Sequence, residues 1–119
     1  MAANYRPERT IEIHAYAAEE LGLTGSADIA SDYKAQGVNV VSMMQHDMTA
    51  WKPAGAADKI FFVTTSTTAG FNALLTKVAG HYSGIAVGSG ALTMGTSDHA
   101  SWTRAGFAAA FPFENPSDY

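Results

Sequence analysis

The sequence predicts an α/β fold, a mainly parallel sheet with helices on both faces. Short β-branched or aromatic runs such as Ile60-Phe61-Phe62-Val63-Thr64 alternate with stretches whose apolar residues recur at helical spacing, such as Phe71, Leu74, Leu75 and Val78. Strands separated by helices are joined by crossovers, and crossovers make parallel pairs. The carboxylates Glu19, Glu20, Asp47 and Glu114 fall at the ends of predicted strands, where open α/β sheets place their ligands.

Each element has its own local reason. Thr10 to Ala17 reads as a strand because Ile11, Ile13 and Ala15 alternate with polar neighbours and Tyr16 closes the run. Ser26 is placed to cap a helix through Lys34 or Ala35, with Ile29, Ala30 and Tyr33 on its apolar face and Gly37 as its stop. Val38 to Met48 follows as a buried strand, and Pro53-Ala54-Gly55 marks a loop. Ile60 to Thr64 is the third strand. Thr67 or Thr68 caps the next helix, which Gly80 and Gly84 end. Gly84 to Gly95 reads as a short strand plus a loop; Gly88-Ser89-Gly90 lacks the lysine and helix start of a phosphate cradle. Ser97 or Asp98 caps a brief helix through Arg104 that stops at Gly106, and Phe107 to Phe113 is the last strand.

Composition bounds the function. A chain of 119 residues with 47% hydrophobic content fits one small domain with a packed core. The formal charge of -4, with lysines and arginines scattered, argues against a nucleic-acid surface. No apolar run reaches the roughly 18 residues that crossing a membrane requires, and Met1-Ala2-Ala3-Asn4 does not begin a signal peptide. With no cysteine, thiol chemistry is excluded.

The chemistry concentrates at Tyr16-Ala17-Ala18-Glu19-Glu20-Leu21-Gly22, where adjacent carboxylates follow a strand and meet a glycine-bearing turn. A metal-assisted hydrolase needs one carboxylate on the cation and a second, unligated one to take the proton of the attacking water. For an isolated Glu-Glu pair, solvated charge in the first turn of a helix is the better reading. This pair is followed by Gln45-His46-Asp47-Met48-Thr49, a strand ending in a carboxylate, and by Ser97-Asp98-His99-Ala100-Ser101-Trp102. Ser97, Asp98 and His99 suggest a catalytic triad only by adjacency; capping of a helix start explains them better. His14 and His81 read as structural or exposed, and His46 as a non-ligand turned away from Asp47.

These three blocks, with the closing Pro112-Phe113-Glu114 and Asp118-Tyr119, resemble the zinc-dependent aminopeptidase family of the bacterial secreted leucyl aminopeptidases across essentially the whole chain. The resemblance implies a part of the three-layer fold of the two-zinc aminopeptidases, and residues 1–119 as the later part of one catalytic domain. It implies Glu19 as general base, Glu20 as a ligand of one zinc and Asp47 as a ligand of the other. Met48, Phe111, Phe113 and Tyr119 match positions lining the apolar pocket for the N-terminal side chain, and Val63 matches another that core packing also explains. Met94 stands where the family has a tyrosine near the substrate.

The resemblance further implies two zinc ions per complete site, peptide substrates and a secreted or periplasmic setting. The family's remaining ligands, an earlier His-x-Asp pair and a later histidine, have no counterpart here, so the chain is expected to be truncated and to bind zinc weakly by itself. The alternative is a non-catalytic fragment or binding module on the same scaffold. Either way an exposed strand edge is expected to drive self-association, with Ile60 to Val63 as the point of contact.

Overall fold

The computed structural model describes residues 6–114. Three helices and five short strands follow one another as α1 (Thr24–Ala35), β1 (Met43–Met44), β2 (Lys59–Val63), α2 (Ala69–Tyr82), β3 (Ala86–Gly90), α3 (His99–Ala105), β4 (Ala109–Ala110) and β5 (Pro112–Phe113). The α/β class follows directly from this order. β1 pairs in parallel with β4, and β2 in parallel with β3, while β5 runs antiparallel on the other side of β2. β4 and β5 are consecutive, so the segment Ala109 to Phe113 joins the two small sheets, and the Val63 amide donates to the Phe111 carbonyl at the junction.

Two apolar clusters hold the layers. Phe61, Val63, Phe111 and Phe113 form one, with Leu92 against it. Ala30, Trp102 and Ala109 form the other, joined by Tyr16, Ile29, Tyr33, Val40 and Met43. This second cluster exists because α1 and α3 pack side by side, clamped by the buried Ser26 hydroxyl donating to Ser101 Oγ at 2.9 Å. Helix α2 is tied in at its start, where the Thr68 amide donates to the Ala109 carbonyl and the Ala109 amide donates to the Thr68 hydroxyl.

Several local expectations need correction. Thr10 to Ala17 is extended but forms no ladder, because no described segment offers its backbone a partner; Ile13 is 90% exposed. Side chains hold it instead. The Trp102 indole donates to Tyr16 Oη at 2.9 Å, Tyr33 Oη donates to Glu12 at 2.7 Å, and His14 packs edge-on against Tyr16 and Tyr33. In Val38 to Met48 only Met43 and Met44 are paired.

Ser26 does not cap α1, which starts after Leu23, and Gly80 lies inside α2. Thr68 and Asp98 do stand at the N-cap positions of α2 and α3, but neither makes a side-chain capping hydrogen bond. The last strand is split at Phe111, where the chain changes partner from β1 to β2. Ile60 to Val63 belongs to the central strand of its sheet, with Phe61, Phe62 and Val63 buried, so it cannot be a contact edge; β3 and β5 are the outer strands of that sheet. Among the described residues no helix is long and apolar enough to cross a membrane.

Candidate active site

A tight turn presents the Glu pair. After Ala17 the chain reverses through residues 18–23, with Ala18 and Leu23 in left-handed backbone, the Glu19 carbonyl accepting from the Gly22 and Leu23 amides, and the Ala18 carbonyl accepting from Leu21 and Thr24. Gly25 must lack a side chain, since a Cβ there would sit 2.5 Å from the Ala17 carbonyl oxygen. That close approach seats the turn on the first residues of α1. Glu19 emerges half-buried and Glu20 exposed.

Asp47 comes to the same place from the end of the β1 segment. Its Oδ2 accepts a 2.6 Å hydrogen bond from Ser97 Oγ, which explains why Ser97 is not a cap: its hydroxyl is spent on a carboxylate fifty positions away. Asp98, at the start of α3, is 4% exposed, and its Oδ1 is buried without a partner. Adjacent His99 is fully buried, stacks on Phe111 at 4.9 Å between ring centroids, and donates from Nε2 to the Thr65 carbonyl at 3.1 Å. Burial holds its pKa below the usual imidazole range, so the ring is neutral and works as a packing element.

One open cleft of about 1700 Å³ collects these groups. Glu19, Glu20, Asp47, Met48, Asp98, Phe111 and Phe113 all line it, with Met94. Phe111 and Phe113 are at once core residues, 3% and 5% exposed, so any pocket they form is rigid; Met48 is half-exposed on a loop. Val63 is wholly core. Tyr119 lies outside the described residues. His14 pairs with Glu12, and His46 is exposed.

Electrostatics singles out Glu19. Desolvation raises the Glu19 pKa above the ordinary carboxylate value, and repulsion from Glu20, Asp47 and Asp98, in that order, raises it further. Ionised Glu19 is thus destabilising: the native state gains from its protonation below the unfolded value, and that gain is lost as pH rises through the raised value. A base with raised pKa is also a better proton acceptor once ionised. In the metal-free chain, the Glu19 carboxyl resonance should titrate above its ordinary midpoint, and Glu20→Gln should lower that midpoint more than Asp98→Asn. Coincident midpoints in all three proteins would show that neighbouring carboxylates do not set it.

Among the described residues no three His, Cys, Asp or Glu side chains are arranged to hold a metal ion, whereas a catalytic zinc takes three protein ligands. Glu20 and Asp47 do not complete such a site between them.

Comparison with known proteins places this arrangement. The sequence profile described as Peptidase family M28 matches residues 1–119. The chain belongs to peptidase family M28. It is 36% identical over 121 residues to a leucine aminopeptidase 1 of Ajellomyces capsulatus, covering 98% of this chain and 31% of the relative. A probable aminopeptidase of Saccharomyces cerevisiae is 34% identical over 93% of this chain and 30% of its own. Among solved structures, Legionella pneumophila LapA superposes with a TM-score of 0.79 at 33% identity, over 86% of this chain and 28% of that one. An aminopeptidase from Aneurinibacillus sp. strain AM-1 gives 0.58 at 26% identity. The M28 chain described here therefore spans under a third of the length of these relatives.

The sequence pointed to Glu19, Glu20 and Asp47, which line one cleft, but not to Ser97 as the partner of Asp47 or to Asp98 as a further carboxylate of the cleft. The signal for both was the Ser97-Asp98-His99 word itself, which capping preference explained too readily.

Proposed function

We propose that residues 1–119 form the carboxylate-bearing part of a metallo-aminopeptidase domain that releases N-terminal, apolar residues from peptides. The observation that carries this is the convergence of Glu19, Glu20 and Asp47 on one cleft in an M28 chain. In this reading Glu19 is the general base, taking the proton of the water that attacks the first peptide carbonyl; its half-buried, repelled carboxylate suits that task. Glu20 would hold one zinc ion and Asp47 another once the missing donors are supplied, and the bound ions would contribute Lewis acidity and lower the pKa of water. Ser97, donating to Asp47 Oδ2, would orient that carboxylate. Met48, Phe111 and Phe113, which line the cleft, are assigned to the substrate side-chain pocket, and the resemblance gives Tyr119, outside the described residues, the same role.

The incomplete donor set supports a second statement: the chain by itself is a non-catalytic fragment or binding module until further ligands are supplied. Its setting is secreted or periplasmic, and copies associate through the open β3 edge, beside which the exposed Leu74, Val78, Tyr82 and Ile85 add apolar surface. The test is fusion to the LapA segments outside the match. The joined protein should hydrolyse leucine p-nitroanilide in zinc-containing buffer; one that retains zinc stoichiometrically and never turns over contradicts the proposal.

A further inference from the structure

The turn that follows Asp47 is strained. Met48 and Ala50 hold φ of 48° and 66°, left-handed backbone that residues with a Cβ rarely adopt. Such a turn persists only where its surroundings over-determine it. One restraint is visible: Glu114 Oε1 accepts a 2.5 Å hydrogen bond from the Ala50 amide, reaching across from a segment 64 positions later. Glu114 is itself anchored, because it directly follows β5, whose Phe113 pairs with Phe61 of the central strand. On the other side of the turn, Ser97 fixes the Asp47 carboxylate.

We infer that Glu114 is a positioning residue whose carboxylate pins the Met48–Ala50 turn, and through it aims Asp47 and the Met48 side chain into the cleft. The inference rests on the proposed roles of Asp47 and Met48. It also gives this strand-end carboxylate a role apart from metal binding, since one oxygen is committed to a backbone amide. A charged acceptor is the strongest available to a lone N–H, which suits a turn that must be held against its own backbone preference.

The experiment uses the ¹⁵N-labelled chain. Glu114→Ala should speed hydrogen exchange of the Ala50 amide by about tenfold or more, and Glu114→Gln, whose amide oxygen still accepts, should restore most of the protection, with far-UV circular dichroism unchanged. Mn²⁺ added as a paramagnetic probe should broaden Asp47 less in Glu114→Ala while broadening Glu19 and Glu20 as before. Should Glu114→Ala fail to fold, the Ala50 amide proton decides: it should move upfield in Glu114→Gln relative to the parent chain. Unchanged exchange in a folded Glu114→Ala, or an unmoved proton in Glu114→Gln, overturns the inference. Loss of Ala50 protection with Asp47 broadened equally in the parent chain and in Glu114→Ala would keep Glu114 as the pin of the turn and overturn its role in aiming Asp47.

Discussion

In the protein completed by fusion, Glu19→Gln should keep its metal and lose about 10²- to 10⁴-fold in turnover, the usual contribution of a positioned general base. Glutamine preserves the shape and hydrogen-bonding reach of the side chain but cannot take a proton. Because Glu19 sits in the turn beside Glu20 and is the more buried of the two, its loss should leave the cleft intact. Glu20→Ala and Asp47→Ala should instead lose zinc, measured by metal analysis after dialysis, because each removes an anionic donor. Equal zinc loss in all three variants would mean the roles are misassigned within the pair. A Glu19→Gln protein with full turnover would remove the base from the mechanism altogether.

Trp102→Ala should cost about 3–5 kcal/mol of folding stability, the range for deleting a buried aromatic side chain. Trp102 is 2% exposed and its ring meets three others: Tyr33 edge-on at 5.5 Å, Phe107 at 5.5 Å and His14 at 6.0 Å between ring centroids. Its indole N–H also holds Tyr16. The extended segment before the Glu pair has no backbone ladder, so truncating Trp102 removes a main attachment of Thr10 to Ala17 as well as core volume. Small domains are stable by roughly 5–15 kcal/mol, so the loss is a large share of the whole. Urea denaturation measures it, and Tyr16→Phe, which deletes only the hydroxyl, should cost about 1 kcal/mol. A Trp102→Ala cost below about 1 kcal/mol would show that the α1–α3 cluster is not a core.

What could be read from the residues, and what could not, divides along a physical line. The α2 pattern of Phe71, Leu74, Leu75 and Val78 and the aromatic run at Phe61 to Val63 report local periodicity, and both formed the expected elements. Thr10 to Ala17 has the alternation of a strand, yet alternation reports a two-faced environment; a ladder also needs a neighbouring backbone, which no described segment supplies. Ser26 and Ser97 were misjudged for one shared reason. Serine's preference for helix starts is a local statistic, while their hydroxyls answer to Ser101 and Asp47, distant in sequence. The split at Phe111 is likewise non-local, set by which strand lies alongside. Glu19, Glu20 and Asp47 were legible because whole words of sequence surround them, whereas Glu114 as the restraint on the Ala50 turn emerges only when the two segments are seen together.

Zinc retained by the isolated chain after exhaustive dialysis tests most directly whether Glu20 and Asp47 are parts of a centre that other residues must complete. With a single carboxylate for each ion among the described residues, retention should fall far below one zinc per chain, and leucine p-nitroanilide should remain intact. Stoichiometric zinc held through dialysis, with hydrolysis that disappears in Glu19→Gln, would show that these 119 residues already contain a working site.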